Sequence, residues 1–95
     1  MSHYFAEYVW LDGNNNFRSK TKIISNKKEN RFNITSYPHW NYDGSSTNQA
    51  TLEKSEVNLE PYFIYPDVFR DFNFDVIVMC TPYKKENGKI IKLSK

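Results

Sequence analysis

The residues best suited to chemistry lie in one short run, Asp43-Gly44-Ser45-Ser46, where a carboxylate and two hydroxyls flank one of only three glycines. Aspartate, glycine and serine together make tight turns, because their short polar side chains bond nearby backbone groups. The same carboxylate and hydroxyl on an exposed loop can accept hydrogen bonds from a small cation and help remove its proton. Both readings stay open on the residues alone. A Ser/His/Asp set can be assembled on paper from Ser45 or Ser46, His39 and Asp43, but nothing in the spacing fixes the geometry of a nucleophile and its base. Metal chemistry has less support, since His3 and His39 are far apart and Glu53, Glu56 and Glu60 have no histidine or cysteine at ligand spacing. No glycine-rich loop opens a helix to cradle a nucleotide phosphate. Neither a cofactor-binding nor a metal-binding residue is therefore expected.

The elements that must carry this run are short and strand-like. Tyr4 to Leu11 is rich in aromatic and β-branched residues and stops at Asp12-Gly13 before three asparagines, which is strong turn chemistry. Arg18 to Ser25 then alternates as a half-solvated antiparallel partner does, so the two predict a hairpin. Asn26 to Asn33 is polar and without an apolar period, and reads as an exposed loop. After Tyr37-Pro38-His39-Trp40 the run Asp43 to Gln49 predicts a long, polar, protruding loop. Val57-Asn58-Leu59 fits a short strand that Pro61 keeps from extending in a central position. Tyr65 to Asp71 fits a single helical turn, with Pro66 near its start and Asp67 favourably placed for the helix dipole. Asp75 to Thr81 is the clearest buried strand; Asn87-Gly88 offers a turn, and Lys89 to Lys95 an edge strand or a tail.

At 95 residues the chain has room for one small domain, with a core over about 4–83 and a tail or edge strand over 84–95. Seven Phe, seven Tyr and two Trp must supply much of its buried area. Trp10, Trp40, Tyr8, Phe63 and Phe69 are expected in the core or at an interface, and Arg18, Lys20 and Arg70 as surface or interface cations. The longest apolar run, Val76 to Cys80, is far short of a membrane span, and it predicts that Cys80 is a buried thiol. A net charge of +2, spread along the chain, is too weak to argue for a nucleic-acid or membrane partner, and neither is expected. The N-terminus lacks the basic head and apolar stretch of a secretory signal, so a cytoplasmic location is expected and the sequon Asn33-Ile34-Thr35 carries no weight. Strands dominate and no long amphipathic helix is visible, which predicts an α+β or mostly β domain on a small twisted sheet.

The segment Trp40-Asn41-Tyr42-Asp43-Gly44-Ser45-Ser46-Thr47, with Gln49-Ala50 and then Ser55 to Pro61, resembles the signature of the glutamine synthetase N-terminal domain. Glu7 to Gly13 and Arg18 to Lys22 are similar to the opening of the eukaryotic-type branch, and Phe69-Arg70-Asp71 with Val76 to Cys80 to the stretch that closes the same domain. The likeness covers roughly Ala6 to Tyr83. It departs at Thr81-Pro82, where the family often has an acidic residue, and in the Asn26–Asn33 loop, which has no recognisable family feature.

This resemblance implies a β-grasp fold: a small twisted, mostly antiparallel sheet with one or two short helical elements. It also implies ligation of glutamate and ammonia with ATP and Mg or Mn, in rings whose sites lie between subunits. By position, Asp43 resembles the aspartate that binds and deprotonates ammonium, and Ser46 the serine beside it. The family's metal, phosphate, glutamate and nucleotide residues belong to a large C-terminal catalytic domain, and this chain ends at Lys95 before any of it. The expectation is an N-terminal-like domain, inactive alone, that assembles with itself or with glutamine synthetase subunits. The alternatives are a truncated or split component of the ligase, and a remnant without function.

Overall fold

Period-two alternation decides most of this molecule. The computed structural model describes residues 3–25, 31–43 and 56–93, and six strands account for most of them. They are β1 (His3–Leu11), β2 (Phe17–Ser25), β3 (Trp40–Asp43), β4 (Glu56–Pro66), β5 (Val76–Glu86) and β6 (Lys89–Lys92). All lie in one sheet of order β2-β1-β5-β4-β3, with β6 added to the end of β5. The β1–β5 pair is parallel and every other pair antiparallel.

Turn chemistry sets the local connections. The β1–β2 hairpin closes on Asp12, whose carboxylate accepts the backbone N–H groups of Asn14 and Asn16 at 2.8 and 2.9 Å and the Arg18 guanidinium at 2.8 Å. The β5–β6 hairpin closes on Asn87-Gly88, both at positive φ (52° and 78°), as a two-residue turn between right-twisted strands requires. The expected edge strand near the C-terminus is thus present as β6.

Along β1 and β5 the inward set is Ala6, Tyr8 and Trp10 against Val76, Val78 and Cys80, all buried. On β4 the inward set changes parity. Val57, Leu59 and Pro61 are buried, but the register then advances from Pro61 opposite Cys80 to Phe63 opposite Met79, so Tyr62 is an extra residue and Ile64 takes the next inward place. This β-bulge turns Phe63 and Tyr65 to the outer face. Pro61 therefore does not shorten the strand as expected. It sits at the bulge, and β3 pairs with β4 only over Glu56 to Leu59, so no described strand needs a donor from it on that side.

The helical content expected for an α+β domain is nearly absent among the described residues. A single 3-10 turn, Ile34–Ser36, capped by the Asn33 side chain, is the one helical element there, so the architecture is nearly all β. The predicted helical turn at Tyr65 to Asp71 gives way to strand and turn. Pro66 pairs with Val76, and the Asp67 N–H donates to the Asp75 carbonyl at 3.0 Å, which holds the backbone extended. Asp67, 1% exposed, caps a tight turn through the Phe69 N–H instead of a helix, and Asp75 accepts the N–H groups of Phe5 and Asp71. No helix among the described residues is long and apolar enough to cross a membrane.

Candidate functional site

Asp43 is the last residue of β3, at an edge of the sheet, and it is exposed. Its partner across the ladder is Glu56, also exposed. Residues directly opposite in an antiparallel pair hold their Cβ atoms roughly 4.5–5.5 Å apart, so two carboxylates share one end of the β3–β4 ladder. That pairing favours a cation. Glu56 was not singled out from sequence as Asp43's neighbour, because only the register reveals it. Asp43, the first residue of the predicted protruding loop, thus ends a strand instead, because it pairs with Glu56, and Gly44, Ser45, Ser46 and the rest of that loop lie outside the described residues.

Alternation along β3 turns Trp40 and Tyr42 inward, beneath Asp43. Tyr42 stacks on Trp10 with ring centroids 4.5 Å apart, and Trp40 meets the edge of Tyr8 at 5.2 Å. The Tyr8 hydroxyl donates to the Pro38 carbonyl at 2.7 Å, fixing the approach to β3. Tyr37 donates to the Arg31 carbonyl at 2.6 Å and bonds Tyr4 at 2.9 Å. Burial pushes the Tyr8 and Tyr37 phenols above their ordinary range, so both remain hydroxyl donors. The Trp10 indole N–H is buried with no acceptor.

Two lysines of β2 complete this surface. Lys20 places its ammonium 4.0 Å from the Trp40 ring centroid and donates to the Asn41 carbonyl at 2.8 Å. Lys22 approaches the same ring at 4.9 Å. Desolvation, and then the charge of Lys22, hold the Lys20 ammonium below the usual lysine range. Lys20 was expected only as a surface or interface cation; its role against Trp40 depends on a contact between opposite ends of the strand order.

The remaining candidates separate. His39 is bonded through Nδ1 to the Tyr83 hydroxyl at 2.8 Å, with its ring edge-on to that tyrosine, so it is committed to β5. The paper triad of serine, His39 and Asp43 gains nothing from this. Arg18 pairs with Asp12, and Arg70 with Glu7 and Asp67, each at 3.1 Å. Cys80 is buried as expected, its thiol pushed up to about 12 by desolvation. Among the described residues there is no group of three or more His, Cys, Asp and Glu side chains that could hold a metal ion.

No protein-family model matches the chain. Comparison with curated proteins shows it to be similar to the glutamine synthetase of Tuber borchii, 49% identical over 65 residues, 68% of this chain and 17% of that protein. The glutamine synthetase of Saccharomyces cerevisiae is 42% identical over 81 residues, 85% of this chain and 21% of its own length. The cytosolic isozyme 1-5 of Arabidopsis thaliana is 44% identical over 86 residues, 90% of this chain and 23% of its own length. The chain spans about a fifth of the length of these relatives.

Proposed function

Since the chain belongs to the glutamine synthetase family, matching the N-terminal region of its members, we propose that it works as that family's N-terminal β-grasp domain. As a single domain, inactive alone, it supplies an ammonium-binding edge to a site whose other groups lie on a glutamine synthetase catalytic domain. The observation that carries this reading is the position of Asp43: exposed, at the end of an edge strand, opposite Glu56 and next in sequence to Tyr42, which stacks on Trp10.

A carboxylate suits the task because it stabilises ammonium electrostatically and accepts its proton as neutral ammonia leaves to attack an acyl carbon. Ser46, three residues on, is the second residue of the proposed ammonium loop. ATP and the divalent metals act on the partner, and no step through them is assigned to this chain.

Light scattering on the purified chain, alone and mixed with a glutamine synthetase from the same source, tests the proposal with synthetase activity followed in parallel. The expected result is a rise in mass on mixing together with a change in activity. Asp43→Ala should abolish the change in activity and leave the rise in mass. An inert monomer that leaves the synthetase unchanged overturns the reading.

A further inference from the structure

β2 and β3 are the two ends of the strand order, separated by β1, β5 and β4, yet the Lys20 ammonium of β2 donates to the Asn41 carbonyl of β3. The sheet must therefore be coiled until its two ends face one another across the Tyr8, Trp10, Trp40 and Tyr42 rings. β3 is short, four residues against eleven in β4, and its ladder ends at Asp43. Its ladder hydrogen bonds come from β4, over four residue pairs.

Resting on the reading of Asp43 as an ammonium-site residue, we propose that Lys20 is its positioning residue, clamping β3 from the far end of the sheet and setting the direction in which Asp43 leaves it. Three features support this. The ammonium reaches the carbonyl of Asn41, two residues before Asp43, at 2.8 Å, and a charged donor makes that bond a strong one. It also lies 4.0 Å from the Trp40 ring centroid, so one group engages two consecutive residues of the strand. Finally, Lys20 lies opposite Tyr8 in the β1–β2 register, and Tyr8 is the residue on which Trp40 rests, so the clamp and the aromatic floor act at one level of the sheet.

Hydrogen–deuterium exchange on the full chain tests the clamp without any partner. Lys20→Met keeps the aliphatic stem and removes the ammonium; Lys20→Arg keeps a cation that can donate. In Lys20→Met the β3 amides should exchange about tenfold faster or more, the size of one lost charge-assisted bond, with Val78 in β5 unchanged. Lys20→Arg should restore most of the protection. Unchanged β3 exchange, equal loosening at Val78, or failure of arginine to rescue would each overturn the clamp.

In the assembled enzyme, Lys20→Met should raise KM for ammonium with little change in KM for glutamate. Equal rises in both would overturn a role at Asp43. If wild-type chain supports no activity, the functional reading falls while the exchange result still decides the clamp.

Discussion

The two faces of the sheet use the same kinds of residue to opposite ends. On the inner face Tyr8, Trp10, Trp40 and Tyr42 are packed ring against ring, and Val76, Val78 and Leu59 are fully buried. On the outer face Phe5, Ile23, Phe63 and Tyr65 remain about half exposed, and Phe69 in the following turn is 88% exposed. Aromatic content therefore does not separate core from surface here. What separates them is parity along each strand and the coil that brings β3 over β1. The outer residues are not loosely held, because the Asp67 and Asp75 carboxylates cap the turn that presents Phe69 and tie it to β1. The outer face leaves its apolar side chains exposed, whereas the inner face holds the fold.

Truncating the two faces should break this comparison most sharply on the inside. Leu59→Ala, at a fully buried site, is expected to cost about 2–5 kcal/mol in urea denaturation, because a cavity is left among side chains that cannot collapse into it. A loss near zero would mean that the inner face is not the core. Tyr8→Phe keeps the ring and removes the donor to the Pro38 carbonyl, which lies on an exposed residue that water can reach. A loss of roughly 0.5–1.5 kcal/mol is expected, with weaker near-ultraviolet dichroism from the Trp40 environment.

Acid should act next, at the hairpin end. Arg18, and then the Asn16 and Asn14 N–H groups, hold the Asp12 carboxyl below its ordinary value of 3.8. A carboxyl depressed in the folded state stabilises it fully above that ordinary value, and the contribution is lost as pH falls through the lower folded value. Arg18 is nearly half exposed, so solvent screens part of the effect. Plots of denaturation midpoint against pH should fall below about pH 4, and Asp12→Asn should flatten that fall. The smallest effect belongs outside: Phe69→Ser should change stability by less than about 0.5 kcal/mol while weakening any mass shift seen with a glutamine synthetase partner.

Much of the fold was legible because it is local. The β1–β2 hairpin, the Asp12 turn, the buried β5 and the Asn87-Gly88 turn each rest on residues within a few positions of one another, where turn chemistry and alternation act directly. Phe63 and Phe69 show where this stops. Both were expected in the core or at an interface, and neither is in the core, because the bulge at Tyr62 and the Asp67 cap turn them outward. The helical turn at Tyr65 to Asp71 misled for a similar reason: the same proline and aspartate that start a helix also end a strand and cap a tight turn, and pairing of Pro66 with Val76 decides between them. At the candidate site, Asp43 was legible as a carboxylate in turn chemistry. Glu56 and Lys20 were not, because one is brought there by register and the other by closure of the sheet.

By itself, then, the sequence determined the β1–β2 hairpin, the buried stretch of β5, the Asn87-Gly88 turn and the turn chemistry that begins at Asp43, because backbone propensity and side-chain hydrogen bonds act over a few residues. Tertiary structure alone decided that β1 runs parallel to a strand 70 residues later, that the inward set of β4 changes parity at Pro61, and that the two ends of the sheet meet at Lys20 and Trp40. Those outcomes depend on ladder register and sheet coiling, which many distant residues set together and no short segment encodes.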